Sequence, residues 1–397
     1  MYDTQTSLEI RKASAAMEFG KAVKEFKLDK SRTFTVATEK MKGMDHGPNH
    51  TEGDPLEHSQ LYVAELNSYL KIHAQDFSAQ EARLLRLGGA LHDIGKAGTQ
   101  KYDAVSDRQN KWVGASPQDI VDAKRLIYTI AIDLSSGVYK DRYPDLEPEV
   151  LAIRKEVGTY SETKLQKEFL RLSADVVSEI IRREVDLRDH RALVANFRDH
   201  GKKSAEMARG IIQEAQVELS PEEQKLLDYL IENHMQLLDL ADLSVEDLSD
   251  PKKNQGPLKI FEKLFVDGEK GMRSMNEQKI KMLLALTYAD NASTHHKGES
   301  NEDRQKAFER IVHALTELRS RMAPVLEKET QDKKVEDVLK EAFREHGSLA
   351  TYLMKEKGKS GKEIGAATQA VKKFVQEHVD EDLETLYEKV VTFAQTF

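Results

Sequence analysis

The stretch Leu91-His92-Asp93-Ile94-Gly95-Lys96 lies at the end of an apolar run whose spacing predicts a buried helix. The preceding pair Gly88-Gly89 would let a neighbouring element approach that helix closely. An imidazole beside a carboxylate is costly to bury unless both groups have strong partners. A divalent cation would serve both, because His92 can bind one ion while the two oxygens of Asp93 reach that ion and a second. Lys96, one turn beyond His92, can meet an anionic substrate.

The composition is typical of a soluble, largely helical chain: of 397 residues, 32% are charged and 7% aromatic. The net charge of -9 provides no overall field that would attract nucleic acid or an anionic membrane. Cysteine is absent, so disulfides and thiolate ligands are excluded, and a metal site must use His, Asp and Glu. Charges throughout Met1 to Lys30 argue against a signal peptide, and no apolar run reaches the roughly 20 residues that span a bilayer. We therefore predict a cytoplasmic protein.

Helical spacing dominates the chain and predicts an all-α fold. The N-terminal extension, residues 1–45, contains an amphipathic helix from Ala15 to Phe26 and an alternating stretch, Thr33 to Val36, that we expect to be extended. A loop from Met44 to Asp54 leads to a helix start at Asp54-Pro55-Leu56-Glu57, where a capping carboxylate, a proline and a glutamate occupy favoured positions.

Residues 46–300 form the predicted central domain, interrupted by a long, mostly helical insert at residues 97–194. Beyond the insert, Phe197 to Gly201 opens a helix, and Ser220-Pro221-Glu222-Glu223 is a second helix start with a capping box. Residues 301–397 are predicted to be a C-terminal region of charged helices.

Several histidines and aspartates fall on or next to apolar stripes of separate predicted helices. They are His58, the pair His92-Asp93, His200, His234 and Asp290. A lone histidine on an apolar face is more often a hydrogen-bonded core residue than a ligand, and a single His-Asp pair is often only a buried pair. Five such positions in one chain are harder to explain in that way, and they favour a shared metal site.

The order His, then His-Asp, then a distant Asp resembles the signature of the HD superfamily of metal-dependent phosphohydrolases. The matching residues are His58, His92, Asp93 and Asp290. Two stretches strengthen the resemblance, because His-Asp-Ile-Gly-Lys is a common form of the core motif and Tyr288-Ala289-Asp290-Asn291 resembles the last helix of that family. It implies an HD-domain helical bundle, with the long insert and the helical C-terminal region as additions.

The remaining pair, His200 and His234, is similar to the HD branch with a second metal, in which Asp93 would bridge two ions. The resemblance implies two divalent ions, Mn, Mg, Fe, Co or Ni, that activate a water molecule for attack on a phosphate. Asp93 and Lys96 would be catalytic, and Lys96 would also bind the substrate phosphate. His50 would contact the leaving group, unless it is an exposed loop residue.

More narrowly, His50-Thr51-Glu52-Gly53-Asp54 and Phe197 to His200 resemble the HD half of bacterial tRNA nucleotidyltransferases, the CCA-adding enzymes, and the tail at 361–367 is weakly similar to their C-terminal region. This resemblance implies a phosphatase or phosphodiesterase for nucleotides or RNA ends, including 2',3'-cyclic phosphates. The nucleotidyltransferase head is missing, because fewer than fifty residues precede the HD region, so CCA addition is not expected. The insert is longer than in that family.

The sequence leaves two alternatives to hydrolysis. One HD branch uses a similar set of six ligands for a mixed-valence di-iron centre, which cleaves C-C or C-P bonds with dioxygen and would show iron-dependent absorbance and oxygen consumption. A non-catalytic binding module is disfavoured because no ligand position is missing.

Three features outside the ligand set have both a functional and a structural interpretation. Lysines between Lys355 and Lys373 predict a tRNA or RNA contact, or else a solvated helical face. Aromatic and basic residues of the insert could bind a base and a phosphate, or simply pack a loop. They are Tyr139, Arg142 and Tyr143. The pair His295-His296 is expected at the surface.

Overall fold

The computed structural model describes residues 4–47, 50–106, 109–110, 113–157, 172–197, 199–243, 250, 253, 255–269, 272–295, 300–378 and 381–397. Most of them are helical, which confirms the predicted all-α fold. The chain divides into two compact units, Met1–Asp242 with Lys281–Ile311, and Leu243–Ile280 with Val312–Phe397. The predicted domain boundaries at residues 45 and 300 are not tested by this division and stay a prediction.

The helices follow one another along the chain and are numbered in that order. They are α1 (Thr4–Glu25), α2 (Arg32–Met41), α3 (Pro55–Ile72), α4 (Ala79–Leu91), α5 (Pro117–Ser136), α6 (Glu147–Val157), α7 (Ala174–Glu184), α8 (His200–Glu214), α9 (Pro221–Asn233), α10 (Gln255–Phe265), α11 (Glu277–Ser293), α12 (Asn301–Ala342), α13 (Leu349–Lys355), α14 (Gly361–His378) and α15 (Leu383–Ala394). A short 3-10 turn, Ile94–Gly98, follows α4 closely.

Two short strand pairs interrupt the helices. In the first unit β1 (Lys101–Ala104) runs antiparallel to β2 (Leu193–Asn196), with Lys101 opposite Asn196. In the second unit β3 (Val266–Glu269) pairs with β4 (Met272–Met275) in the same sense. The first pair joins the two ends of the predicted insert, so the insert leaves and re-enters the rest of its unit at one place.

The predicted helix starts at Asp54 and Ser220 are confirmed. The Asp54 carboxylate accepts a hydrogen bond from Glu57 N, and the Glu57 side chain accepts one from Asp54 N. Ser220 and Glu223 form the same reciprocal box at the start of α9. Each box satisfies backbone N–H groups that would otherwise have no partner at a helix start.

The expectation of an extended stretch at Thr33 to Val36 is wrong, because these residues lie inside α2. Ser31 caps that helix by accepting a hydrogen bond from Phe34 N. Phe34, Ala37 and Met41 are all buried, and their spacing of three and four residues is helical. The alternation of threonine with apolar residues is only local and is outweighed by this longer pattern.

Helices α1, α3, α4, α8 and α9 of the first unit pack against one another in pairs: α1 and α4 on α3, α9 on α4, and α8 on α9 and on the turn after α4. The close approach predicted for Gly88-Gly89 is present. A Cβ atom on Gly89 would lie 2.8 Å from Leu66 Cδ2, and one on Gly88 would lie 3.3 Å from Leu227 Cδ1. The absence of side chains there brings α3 and α9 against α4.

The insert has a hydrophobic core of its own, formed mainly by α5, α6 and α7. Buried members include Ile130, Leu134, Val177, Ile180 and Leu193. Tyr139 and Tyr143 pack against this core, the Tyr143 hydroxyl donates to Glu184, and Arg142 pairs with the same carboxylate. Tyr139 and Tyr143 therefore have the packing role, and Arg142 forms an ion pair beside them.

The second unit has a separate core between the end of α12 and helices α13 to α15. Its most buried residues include Leu353, Val371, Val375, Leu386 and Val390. Within the described ranges every helix is too short or too polar to cross a lipid bilayer. The cytoplasmic location expected from the sequence stays a prediction.

Candidate metal centre

The structure brings all six predicted ligands together in the first unit, and every one of them is buried. Most lie where a helix begins or ends: His58 in the first turn of α3, His92 and Asp93 directly after α4, His200 at the start of α8, and His234 directly after α9. Asp290 lies in the last turns of α11. Buried titratable side chains at this density require partners of opposite charge or a bound cation.

The two oxygens of Asp93 face two different sets of histidines. Asp93 Oδ2 lies 3.3 Å from His92 Nε2 and 3.7 Å from His58 Nε2. Asp93 Oδ1 lies 3.3 Å from His200 Nε2 and 3.8 Å from His234 Nε2. Within the described part of the chain neither oxygen has a partner with hydrogen-bond geometry, although Lys96 Nζ forms an ion pair with Oδ2 at 2.7 Å. A carboxylate in this position could bind one cation through each oxygen.

All four histidines turn the same ring nitrogen toward the centre of the cluster. Nδ1 donates to the carbonyl oxygen three residues earlier in His92 (2.9 Å), His200 (2.7 Å) and His234 (2.7 Å). In His58, Nδ1 donates instead to the carboxylate of Glu52 at 2.9 Å. These bonds place a proton on Nδ1 and direct Nε2 toward the centre of the cluster, which is the usual arrangement around metal-ligating histidines.

The donor set fits a metal ion. His200 Nε2 and His234 Nε2 face each other at 3.2 Å, although both rings use Nδ1 as the donor. Two Nε2 lone pairs at that distance repel each other unless a cation or a shared proton lies beside them. The ligand atoms of two groups lie within 4.8 Å of one another, His58 with His92 and Asp290, and His92 with Asp93 and His234. These buried groups could hold a metal ion.

The carboxylates of the cluster are held in their ionised form. Burial favours the neutral acid, but the nearby His92 and Lys96 hold the pKa of Asp93 well below its usual range. Burial also favours the neutral form of Asp290, but a hydrogen bond with His58, 3.1 Å long, lowers the pKa of Asp290 below its usual range. Ionised carboxylates are the form that binds divalent cations.

The histidines differ in their protonation. Burial, together with His200 and His92, lowers the pKa of His234 to about 3, so that its ring is neutral at pH 7. Burial also disfavours the charged form of His58, but its hydrogen bonds with Asp290 and Glu52 outweigh this effect and raise its pKa to about 9. A cation bound to His58 Nε2 would replace the proton that this position carries without one.

Lys96 lies at the edge of the cluster and is almost fully buried, with 4% of its surface exposed. Its Nζ is 2.7 Å from Asp93 Oδ2 and donates to His46 Nε2, also at 2.7 Å. The ammonium group also lies 5.4 Å from the centre of the Phe197 ring, within the range of a cation–π contact. The lysine is therefore fixed in position beside the shared carboxylate.

His50 belongs to a hydrogen-bond network next to the ligands. Its Nδ1 donates to Glu52 at 2.6 Å, and its ring stacks on that of His46 at 3.6 Å. Burial lowers the pKa of His50 to about 4. The side chain is only 17% exposed, so His50 is not a solvent-exposed loop residue. His46 and Glu52 were not singled out from the sequence, because their roles depend on contacts with distant residues.

His46, His50 and Glu52 form a third group with closely spaced ligand atoms. His46 Nε2 already accepts a hydrogen bond from the Lys96 ammonium and is therefore not available to a cation. The nearest oxygen of Glu52 already accepts hydrogen bonds from two histidines. This group is better described as support for the ligands than as a metal site.

The other predicted positions lie elsewhere. His295 is half-buried rather than at the surface, because its ring contacts Arg11 and Arg304. His296 lies outside the described residues. In the tail, Lys355, Lys362, Lys372 and Lys373 are exposed, whereas Lys357 donates to the carbonyl of Gln395.

A polar cleft of about 910 Å³ opens next to the turn that follows Lys96. Asp45, Gly98 and Tyr102 line one part of it, and Arg182 and Arg183 of α7 line another. The cleft does not include the six ligands, but Asp45 directly precedes His46. Comparisons with protein-family models, curated protein sequences and solved structures found no match.

Proposed function

We propose that this chain is a metal-dependent phosphohydrolase of the HD type. The observation that supports it best is the position of Asp93, whose two oxygens face separate histidine sets. In this proposal a first ion is held by His58, His92, Asp93 and Asp290, and a second by Asp93, His200 and His234. Two divalent ions in such a site supply Lewis-acid activation of a phosphoryl group and of a water molecule.

Residues around the ligands would bind and orient the substrate. The buried ammonium of Lys96 offers a fixed positive charge to a phosphate oxygen, and its contact with His46 keeps it in place. His50 lies two residues from Glu52 and keeps a partly exposed ring, so it can contact the leaving group. Lys96 favours an anionic substrate over an uncharged polyol.

The substrate class in this proposal is a phosphate ester of a nucleotide or an RNA end, including 2',3'-cyclic phosphates. It rests on the resemblance of residues 46–100 and 195–297 to the HD half of CCA-adding enzymes. In this proposal the rest of such a substrate would lie in the polar cleft that Gly98, Arg182 and Arg183 line. Contact with tRNA or another RNA through residues 355–373 belongs to the same proposal.

The test is hydrolysis of nucleotides and short RNAs with terminal or cyclic phosphates, by protein reconstituted with Mn, Mg, Co, Ni or Fe. We expect turnover with at least one ion and its loss in Lys96→Ala. The control Lys203→Ala removes a partly exposed lysine of α8 that forms an ion pair with Glu206, and it should keep full activity. Oxygen consumption by the iron-loaded protein without hydrolysis of any phosphate ester would favour the di-iron oxygenase instead.

A further inference from the structure

Glu52 is completely buried, and its carboxylate accepts three hydrogen bonds. Oε1 accepts from His50 Nδ1 at 2.6 Å and from His58 Nδ1 at 2.9 Å, and Oε2 accepts from His295 N at 3.0 Å. Burying an ionised carboxylate is costly unless it is fully hydrogen-bonded, as this one is. Glu52 therefore holds three separate segments of the chain together.

His58 is the one ligand histidine held by a side chain. The other three donate Nδ1 to a carbonyl oxygen three residues earlier, so their own helix ends orient their rings. His58 lies in the first turn of α3, and its Nδ1 donates to Glu52 instead. The direction of its ring thus depends on a residue outside the helix.

Glu52 is also tied to the helix that supplies Asp290. Thr51 N and Thr51 Oγ1 donate to the carbonyl of His295 at 2.8 and 2.7 Å, and Glu52 accepts from His295 N. His295 follows the end of α11 by two residues. His58 Nε2 lies 3.1 Å from Asp290 Oδ1. The Glu52 carboxylate is therefore linked to both of these ligands, to His58 directly and to Asp290 through the residues that follow α11.

We propose that Glu52 is a positioning residue for the first ion of the pair. It holds the proton of His58 on Nδ1, directs Nε2 toward Asp93 and Asp290, and adds negative charge behind the ligand, which makes the imidazole a better donor. The inference rests on the proposed function, since it concerns the same metal site. It predicts that Glu52 controls affinity for the first ion and leaves the second ion unaffected.

The experiment measures Co²⁺ affinity by calorimetry and visible absorption in two variant backgrounds of the 397-residue chain. His234→Ala removes a ligand of the second ion, and Asp290→Asn removes a ligand of the first. Adding Glu52→Gln should weaken Co²⁺ binding about 10- to 100-fold in the His234→Ala background and change it less than about twofold in the Asp290→Asn background. Circular dichroism and thermal unfolding check that each protein is folded.

Thr51→Ala is the matched control, because it removes a hydrogen bond to His295 without touching His58. We expect it to leave Co²⁺ binding unchanged. If Thr51→Ala weakens the first ion as much as Glu52→Gln does, or if Glu52→Gln weakens both ions equally, Glu52 is only a structural tether and the inference is wrong. Tight binding of two ions without hydrolysis of any phosphate ester overturns the proposed function but not the role of Glu52.

Discussion

Asp93 is surrounded by positive or potentially positive groups on both sides, and each of its oxygens has its own neighbours. Oδ2 lies among His58, His92 and Lys96, whereas Oδ1 lies nearest to His200. The single negative charge of Asp93 thus interacts with several neighbouring groups and not with one partner alone. The removal of Asp93 should therefore affect the whole cluster, whereas the removal of a histidine on one side should affect that side alone.

Asp93→Ala is expected to lose both proposed ions and the proposed phosphohydrolase activity, because each of these ions has Asp93 as a ligand. His234→Ala should retain about one equivalent, since the first ion keeps its four ligands. Metal content after reconstitution and dialysis, measured by mass spectrometry, distinguishes the two variants. Asp228→Asn, a change on α9 away from the cluster, should retain two equivalents. A wild-type protein that binds at most one ion would contradict the dinuclear site.

At the scale of the elements, helix α8 is held at both ends. At its start, the turn Ile94–Gly98 packs against it, and Gly95 N donates to Ser204 Oγ at 2.9 Å. At its end, Glu214 accepts hydrogen bonds from Ser31 and Thr33 at the beginning of α2. Because His200 is the first residue of α8, these contacts determine where this ligand lies relative to Asp93.

Gly95→Ala is expected to reduce the free energy of unfolding by about 1–3 kcal/mol, because overpacking in a tight contact has that cost. A Cβ atom at position 95 would lie 2.5 Å from Ser204 N and 2.7 Å from His200 O, both of them backbone atoms. Relief of this clash would displace the backbone of His200, which should weaken binding of the second ion. Gly98→Ala is the control in the same turn, since nothing lies within 4 Å of its Cβ position. Urea denaturation should show no loss for Gly98→Ala, and equal losses would contradict the packing argument.

The contact between Glu214 and α2 should depend on pH. Hydrogen bonds from Ser31 and Thr33 lower the pKa of Glu214 to about 2, from about 4.5 in an unfolded chain. A lowered pKa in the folded state adds stability above pH 4.5, and this stability is lost as the pH falls toward 2. Glu214→Gln should therefore be less stable than wild type at pH 7, and the difference should shrink below pH 4.5.

Denaturant unfolding at pH 7 and in the acid range measures that difference. Glu206→Gln on the same helix removes only an exposed ion pair with Lys203, and its effect should stay within about 0.5 kcal/mol. A stability difference between Glu214→Gln and wild type that is the same at both pH values would show that the ionised carboxylate is not what stabilises the contact.

For the whole molecule, the parts of the fold that were predicted correctly are those coded by neighbouring residues. Capping pairs such as Asp54 with Glu57 lie three residues apart, so the start of α3 could be read from the sequence. The prediction of an extended stretch at Thr33 to Val36 is wrong because the alternation covers only four residues, whereas Phe34, Ala37 and Met41 follow helical spacing. Glu52 also accepts a hydrogen bond from the backbone of His295, more than two hundred residues away, and no local pattern encodes that contact.

Substitutions in the tail, residues 355–373, test whether the proposed RNA contact involves the second unit. Replacing Lys355, Lys362, Lys372 and Lys373 by Glu should weaken tRNA binding and reduce its salt dependence by about one unit of slope for each phosphate contact that is lost. All four side chains are exposed, so these changes should spare the core formed by Leu353, Val371 and Val390. Deletion of the tail would remove part of that core and could lower affinity simply by unfolding the unit.

A matched control carries the same change in net charge on exposed lysines of the first unit. It replaces Lys24, Lys30, Lys124 and Lys140 by Glu. If general charge repulsion weakens tRNA binding, both quadruple variants will lose affinity equally, because long-range repulsion depends mainly on net charge. Loss confined to the tail variant, measured as Kd at several salt concentrations, would support a local contact. Unchanged affinity in the tail variant would leave these lysines as an ordinary solvated face and remove the tail from the proposed substrate-binding surface.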